Sequence, residues 1–322
     1  KLINQLLFNP MTFKQLLFKL ILKTIAISGI SLTSFFPLPQ VAKAETFNMQ
    51  SCPESGSNDA TLAKLEELEE CLHTPQQYKL TIYEMGLCTS DPTSTAVFDK
   101  TNCVETMNTT SGTEIDLAPG DSSSKLAAFP SSNSRPASGT YTHAYILLGN
   151  GFKMKGVYQL ADGTTYYSRS STDSWGPFGA ADKTISAAEE HTDLVDNMYF
   201  GDDDDGWDGV MSPTDMPGGG KVSALLLKEC SGSTCEGSDG LASSQGEVAR
   251  LLGVFETNSG SPVVITDSTN GVQVELVVKS DPDDPSNSGG GYLLIGWDQG
   301  DGNGYDLRMF GSAPFKPKFT AF

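Results

Sequence analysis

Apolar positions recur at two spacings along this chain, and the two-residue spacing dominates. Residues 78–85 (Tyr-Lys-Leu-Thr-Ile-Tyr-Glu-Met) and 139–148 (Gly-Thr-Tyr-Thr-His-Ala-Tyr-Ile-Leu-Leu) have the β-branched and aromatic texture of strands. Strands at 152–159 and 164–168 follow, joined by Ala161-Asp162-Gly163, whose Asp-Gly pair predicts a hairpin turn. Further strands are predicted at 97–98, 103–107, 222–228, 248–256, 263–266, 272–279, 292–297 and 305–310, with Gly, Asn, Asp and Pro between them. The helical spacing predicts one helix over 58–72. Leu62, Leu65, Leu68 and Leu72 form its stripe, Glu66, Glu67, Glu69 and Glu70 its other face, and Asn58 or Asp59 its cap. Residues 186–199 are ambiguous, since Leu194, Val195 and Met198 could line a helical face. Residues 109–138, rich in Ser, Thr, Gly and Pro, read as loop. Many short strands at this spacing predict a mainly β chain: an antiparallel β-sandwich in one or two packed units, with a short N-terminal helix.

The first 44 residues have a different texture. Lys14, Lys19 and Lys23 precede an uncharged run over 24–36, followed by Pro37, Pro39 and Ala42-Lys43-Ala44. A basic region, an apolar core and a small-x-small site are the three parts of a secretory signal, here cleaved after Ala44. The run of about 13 residues falls short of the roughly 20 that span a bilayer. Met11 reads as the start, and residues 1–10 are set aside. The chain then divides into upstream residues and signal peptide (1–44), an N-terminal segment with the helix (45–75), a β-sandwich region (76–180) and a second β-rich region (181–322). The mature chain keeps no long apolar segment, so no membrane span is expected. Its expected location is secreted, at the cell surface or in the periplasm.

Charge narrows the partners. Five of the 21 basic residues precede Glu45, leaving 16 against 40 acidic ones and a formal charge near −24. Such a chain repels phosphate backbones, which excludes nucleic acid as a partner. An even set of six cysteines in an oxidising compartment points to disulfides. Six cysteines allow 15 pairings. The simplest is sequential: Cys52–Cys71, Cys88–Cys103 and Cys230–Cys235.

The acidic loops carry the candidate chemistry. Gly201–Gly209 packs five aspartates between glycines, and a hard cation would relieve their repulsion. Asp202, Asp204, Asp208 and Asp215 are its candidate calcium ligands. An EF-hand is not expected, because Gly206 stands where a ligand is needed and flanking helices are missing. A second run, 298–306, offers Asp298, Asp301, Asn303 and Asp306. Asp281, Asp283 and Asp284 form a looser third group. Turn chemistry alone also favours Asp, Asn and Gly at such places.

Catalytic signals are thin. His73, His143 and His191 form no H-E-x-x-H motif, and no G-x-S-x-G elbow is present. Tyr141, Tyr145, Tyr158, Tyr166, Tyr167 and Trp175 could form a sugar-stacking surface, with Tyr141, His143 and Tyr145 on one strand face. The run Pro136-Ala-Ser-Gly-Thr-Tyr141 is similar to the strand entry of Ig-like and prealbumin-like sandwiches. The resemblance covers about ten residues and implies a fold alone. The expectation is a secreted or cell-surface structural or binding protein, a fibre subunit or adhesin-like chain. Its partner would be a second copy, completed by a free segment at 45–50 or 315–322, or a surface glycan. An extracellular carbohydrate-binding module or hydrolase is the rival reading.

Overall fold

The computed structural model describes residues 50–118, 136–170, 179–198, 207–216, 219–278, 292–298, 304–313 and 315–322. In chain order they form helix α1 (Leu62–Leu68) and strands β1 (Glu70–His73), β2 (Gln77–Cys88), β3 (Cys103–Asp116), β4 (Gly139–Tyr141), β5 (His143–Gly149) and β6 (Gly151–Lys155). Then come β7 (Val157–Gln159), β8 (Thr165–Arg169), β9 (Gly179–Asp182), β10 (His191–Leu194), β11 (Val210–Asp215) and β12 (Lys221–Leu227). The last are β13 (Arg250–Glu256), β14 (Val263–Ile265), β15 (Val272–Val277), β16 (Tyr292–Asp298), β17 (Tyr305–Ser312) and β18 (Lys316–Ala321). The protein is mainly β, its antiparallel sheets curled into half-barrels.

Strand β2 organises the larger, eight-stranded sheet. One of its edges pairs with β3; the other pairs with β5 and then β6, which run on from each other past Asn150. At Asn150 the sheet forks: β13 lies beside β5, and β10 beside β6. Strands β12 and β11 complete the β13 branch. The six-stranded sheet runs β1-β16-β17-β9-β8-β7. The two are joined through the chain itself, since β6 becomes β7 across Gly156. Gly156 N–H donates to Ser168 Oγ at 2.9 Å, and Ser168 N–H donates to Gly156 O at 2.9 Å. These bonds satisfy backbone groups that a strand loses when it changes sheets. Two short ladders, β14 with β4 and β15 with β18, complete the set.

Burial explains the apolar runs. Strand β5 is buried from Ala144 through Leu148, on both faces, as a central strand covered on two sides must be. One face, with Ile146 and Leu148, packs with Tyr78, Leu80 and Ile82 of β2 and with Tyr166, Leu307 and Phe310 of the six-stranded sheet. The other, with Tyr145 and Leu147, is covered by Phe98 and by the segment holding Cys230, Cys235 and Leu241. The cysteines pair sequentially as expected, Cys52–Cys71, Cys88–Cys103 and Cys230–Cys235. The last two close the loops that form this cover. Among the described residues, no helix is long and apolar enough to cross a membrane.

Several expectations change. The helix spans two turns rather than 58–72. Thr61 caps it, its Oγ1 accepting from Lys64 N–H at 3.2 Å, and Glu69 at φ 57° ends it. Cys71 and Leu72 belong to β1, where pairing with β16 outweighs the helical stripe. Residues 191–194 are strand, because His191 and Asp193 alternate inward. Strand β3 runs through residues read as loop, since its threonines are β-branched and suit a pleated edge. The C-terminal segment 315–322 is not free: β18 pairs with β15, and Phe315 and Phe319 are buried.

Candidate functional site

The densest polar constellation lies under the disulfide-closed cover. Glu84, on β2, is only 2% exposed. The β2 register shifts between Ile82 and Glu84 against both neighbours, and this bulge turns Glu84 away from the face of Ile82 toward that of Tyr145 and Leu147. There Glu84 Oε1 accepts from Tyr145 Oη at 2.5 Å and from Lys100 Nζ at 2.9 Å. Glu236 Oε1 and Glu105 Oε2 stand 3.8 and 4.0 Å from the same ammonium. The Phe98 ring lies 5.8 Å from Nζ and meets Tyr145 edge-on at 5.1 Å. Burial, then the Glu84 charge, pushes the Tyr145 hydroxyl far above the usual phenol range, so it stays a donor. One ammonium thus faces three carboxyl groups at the margin of an apolar cluster, Glu84 on its buried side and the partly exposed Glu105 and Glu236 on its solvent side.

A second buried set ties the two sheets together. His191 and Asp193, on β10, are 4% and 2% exposed. His191 Nε2 lies 3.1 Å from Phe310 O, and Asp193 Oδ2 accepts from Ser312 N–H at 2.6 Å, both on β17. Burial raises the Asp193 carboxyl and lowers His191. The His191 Nδ1 atom is buried without a hydrogen-bond partner among the described residues. His73 packs edge-on against Tyr158 at 5.0 Å and is lowered by burial to about 4. These groups staple layers rather than converge on a cleft.

The calcium candidates divide. Asp202, Asp204, Asp301 and Asn303 lie outside the described residues, as do Asp281, Asp283, Asp284 and Trp175. Asp208 Oδ1 accepts from Val210 N–H at 2.8 Å. Asp215 pairs with Lys221 at 2.8 Å. Asp208 lies two residues before β11 and Asp215 ends it, and at roughly 3.3 Å per strand residue they stand about 20 Å apart. They therefore face different surroundings. Asp306 accepts from Tyr166 Oη and pairs with Lys183 at 3.1 Å, while Asp298 lies opposite Tyr305 in the β16–β17 ladder.

Part of the acidity does turn work. Asp91, Asp99, Asp116, Asp162, Asp182 and Asp208 each accept the backbone N–H two residues on, at 2.6–3.0 Å. Four of these second residues are Thr, so the sequence signature is Asp-x-Thr.

The tyrosines do not form a sugar platform. Tyr141, Tyr145, Tyr158 and Tyr166 are at most 3% exposed, and Tyr141 and Tyr145 belong to different core clusters. An open groove of about 790 Å³ lies beside α1, lined by residues that include Glu54, Asp59, Lys64 and Glu67 and, among the described residues, by no aromatic side chain. Sequence reading missed the Glu84 joint. The available signal was a carboxylate in the Tyr78, Leu80, Ile82 register of an apolar strand. No protein-family model matches this chain, and no curated protein or solved structure matches it either.

Proposed function

We propose that this chain is an exported structural β protein that associates with further copies of itself along strand β3. Three disulfides and the expected signal support an extracellular or cell-surface setting. A two-layer sandwich is the finer reading of the fold, supported by the core shared between the two large sheets.

The observation that carries the association is the outer edge of β3. The strand is 14 residues long and pairs with β2 alone among the described residues, with the register shifting where Thr109–Gly112 bulge out of the ladder. Three of the other edges are guarded: β11 by Pro213, β1 by the backbone of Gln50 and Cys52, and β7 by its three-residue length. Strand β3 has neither Lys nor Pro, and Cys88–Cys103 bolts its start to β2. The same edge on two copies permits two-fold antiparallel pairing. Pairing about Asn108 and Thr109 sets Glu105 opposite Gly112, which takes Glu105 and Glu114 out of direct opposition.

Placing a cation on the edge tests this reading. Light scattering of the mature protein should show mass rising with concentration, and Thr110→Lys should suppress the rise. A wild-type protein that stays monomeric at high concentration, with and without calcium, removes the proposal. Calcium itself we propose only for the acidic sequence segments that hold Asp202, Asp204, Asp301 and Asn303. Titration calorimetry should give heat of binding that is lost when those aspartates are replaced by asparagine.

A further inference from the structure

We propose that Lys100 and Glu84 become joined by an intramolecular amide bond, a covalent cross-link under the cover of the eight-stranded sheet. Lys100 Nζ lies 2.9 Å from Glu84 Oε1, so the amine and the carboxyl carbon are already near attack distance. The lysine is held on every side. Cys103 N–H donates to Lys100 O at 2.9 Å, the Asp99 turn fixes the next residue, and Lys100 N–H points to Glu236 Oε2 at 3.5 Å. The Cys88–Cys103 bridge closes the loop that presents it. Its side chain is 16% exposed and that of Glu84 2%, with Phe98 beside them. A buried ion pair carries a desolvation cost, whereas an amide carries no charge.

The chemistry balances without an oxidant or cofactor. A proton passes from the Lys100 ammonium to the Glu84 carboxylate, leaving a neutral amine and a neutral acid. Nζ attacks Cδ, and the Tyr145 hydroxyl, 2.5 Å from Oε1, stabilises the charge that develops on that oxygen. Glu236, 3.8 Å from Nζ, takes a proton from the nitrogen and returns it to the leaving hydroxyl. One N–C bond forms, one C–O bond breaks, and one water departs. The product fixes the loop carrying Phe98 to β2, independently of any association along β3.

Intact mass decides the matter. The folded mature protein, exported, then reduced and denatured, should weigh one water less than its sequence. Proteolysis should yield a branched peptide joining Lys100 to Glu84. Lys100→Arg, which keeps the charge, should restore the full mass, and Tyr145→Phe should leave a large uncross-linked fraction. A folded wild-type protein of full sequence mass overturns the proposal, as does a branch that joins Lys100 to Glu105 or Glu236 instead.

Discussion

Gly86 has no side chain because Tyr145 occupies its place. A Cβ there would meet the Tyr145 ring at 2.3 Å, so Gly86→Ala must displace the ring that delivers its hydroxyl to Glu84. Overpacking of this kind costs about 1–3 kcal/mol, and chemical denaturation should show a loss in that range. Ser168 is a comparable single point. Fully buried, it serves Gly156 N–H and donates to Glu189 O at 2.9 Å. Ser168→Ala strands both partners and should cost about 1–3 kcal/mol in the same assay. The histidines set the pH response. His73 is lowered from 6.5 to about 4, so its contribution is complete above pH 6.5 and is lost as pH falls toward 4. His191 moves in the same direction. Asp193 is raised, so its effect has the opposite sign: stability is fullest below its unfolded value and falls as pH rises through the raised one. The melting temperature should therefore drop between pH 6.5 and 4, and His73→Gln should flatten that drop.

At the scale of elements, the cover over the larger sheet is the feature to perturb. The Phe98 side chain is fully buried in one cluster with Cys230 and Cys235, and Gly237 N–H donates to its carbonyl at 2.8 Å, so one residue docks the two disulfide-closed segments together. Phe98→Ala should cost about 3–5 kcal/mol, measured by denaturant titration. Strands with strong alternation or long apolar runs were legible in the sequence: β2, β12, β13 and β17 fall where the pattern places them, while the single strand expected over 139–148 divides at Thr142 into β4 and β5. The sequential cysteine pairing was legible for the same local reason. What was hidden depends on partners distant in sequence. Cys71 and Leu72 fit a helical stripe, yet β16, more than 200 residues on, claims them as strand. Strand β3 was hidden because its threonines and serines also suit loops. Glu84 was hidden because a bulge, invisible to a strict two-residue period, changes the face it serves. The acidic turns were half legible: Asp-x-Thr marks a backbone cap as readily as a ligand loop.

At the scale of the whole molecule, charge and the open edge act against each other. With the expected signal removed, the chain would carry a charge near −24 and repel its own copies, and added salt screens that repulsion within about 10 Å at 0.1 M. Association along β3 should therefore strengthen as ionic strength rises, the reverse of an interface built on opposite charges. Sedimentation velocity on the mature protein, across a concentration series at low and high salt, tests the account most directly. The account predicts a monomer at low salt that shifts to faster-sedimenting species at high salt, with Thr110→Lys holding the monomer throughout. A wild-type protein that remains monomeric under every condition, or a Thr110→Lys variant that associates as fully as wild type, would contradict it.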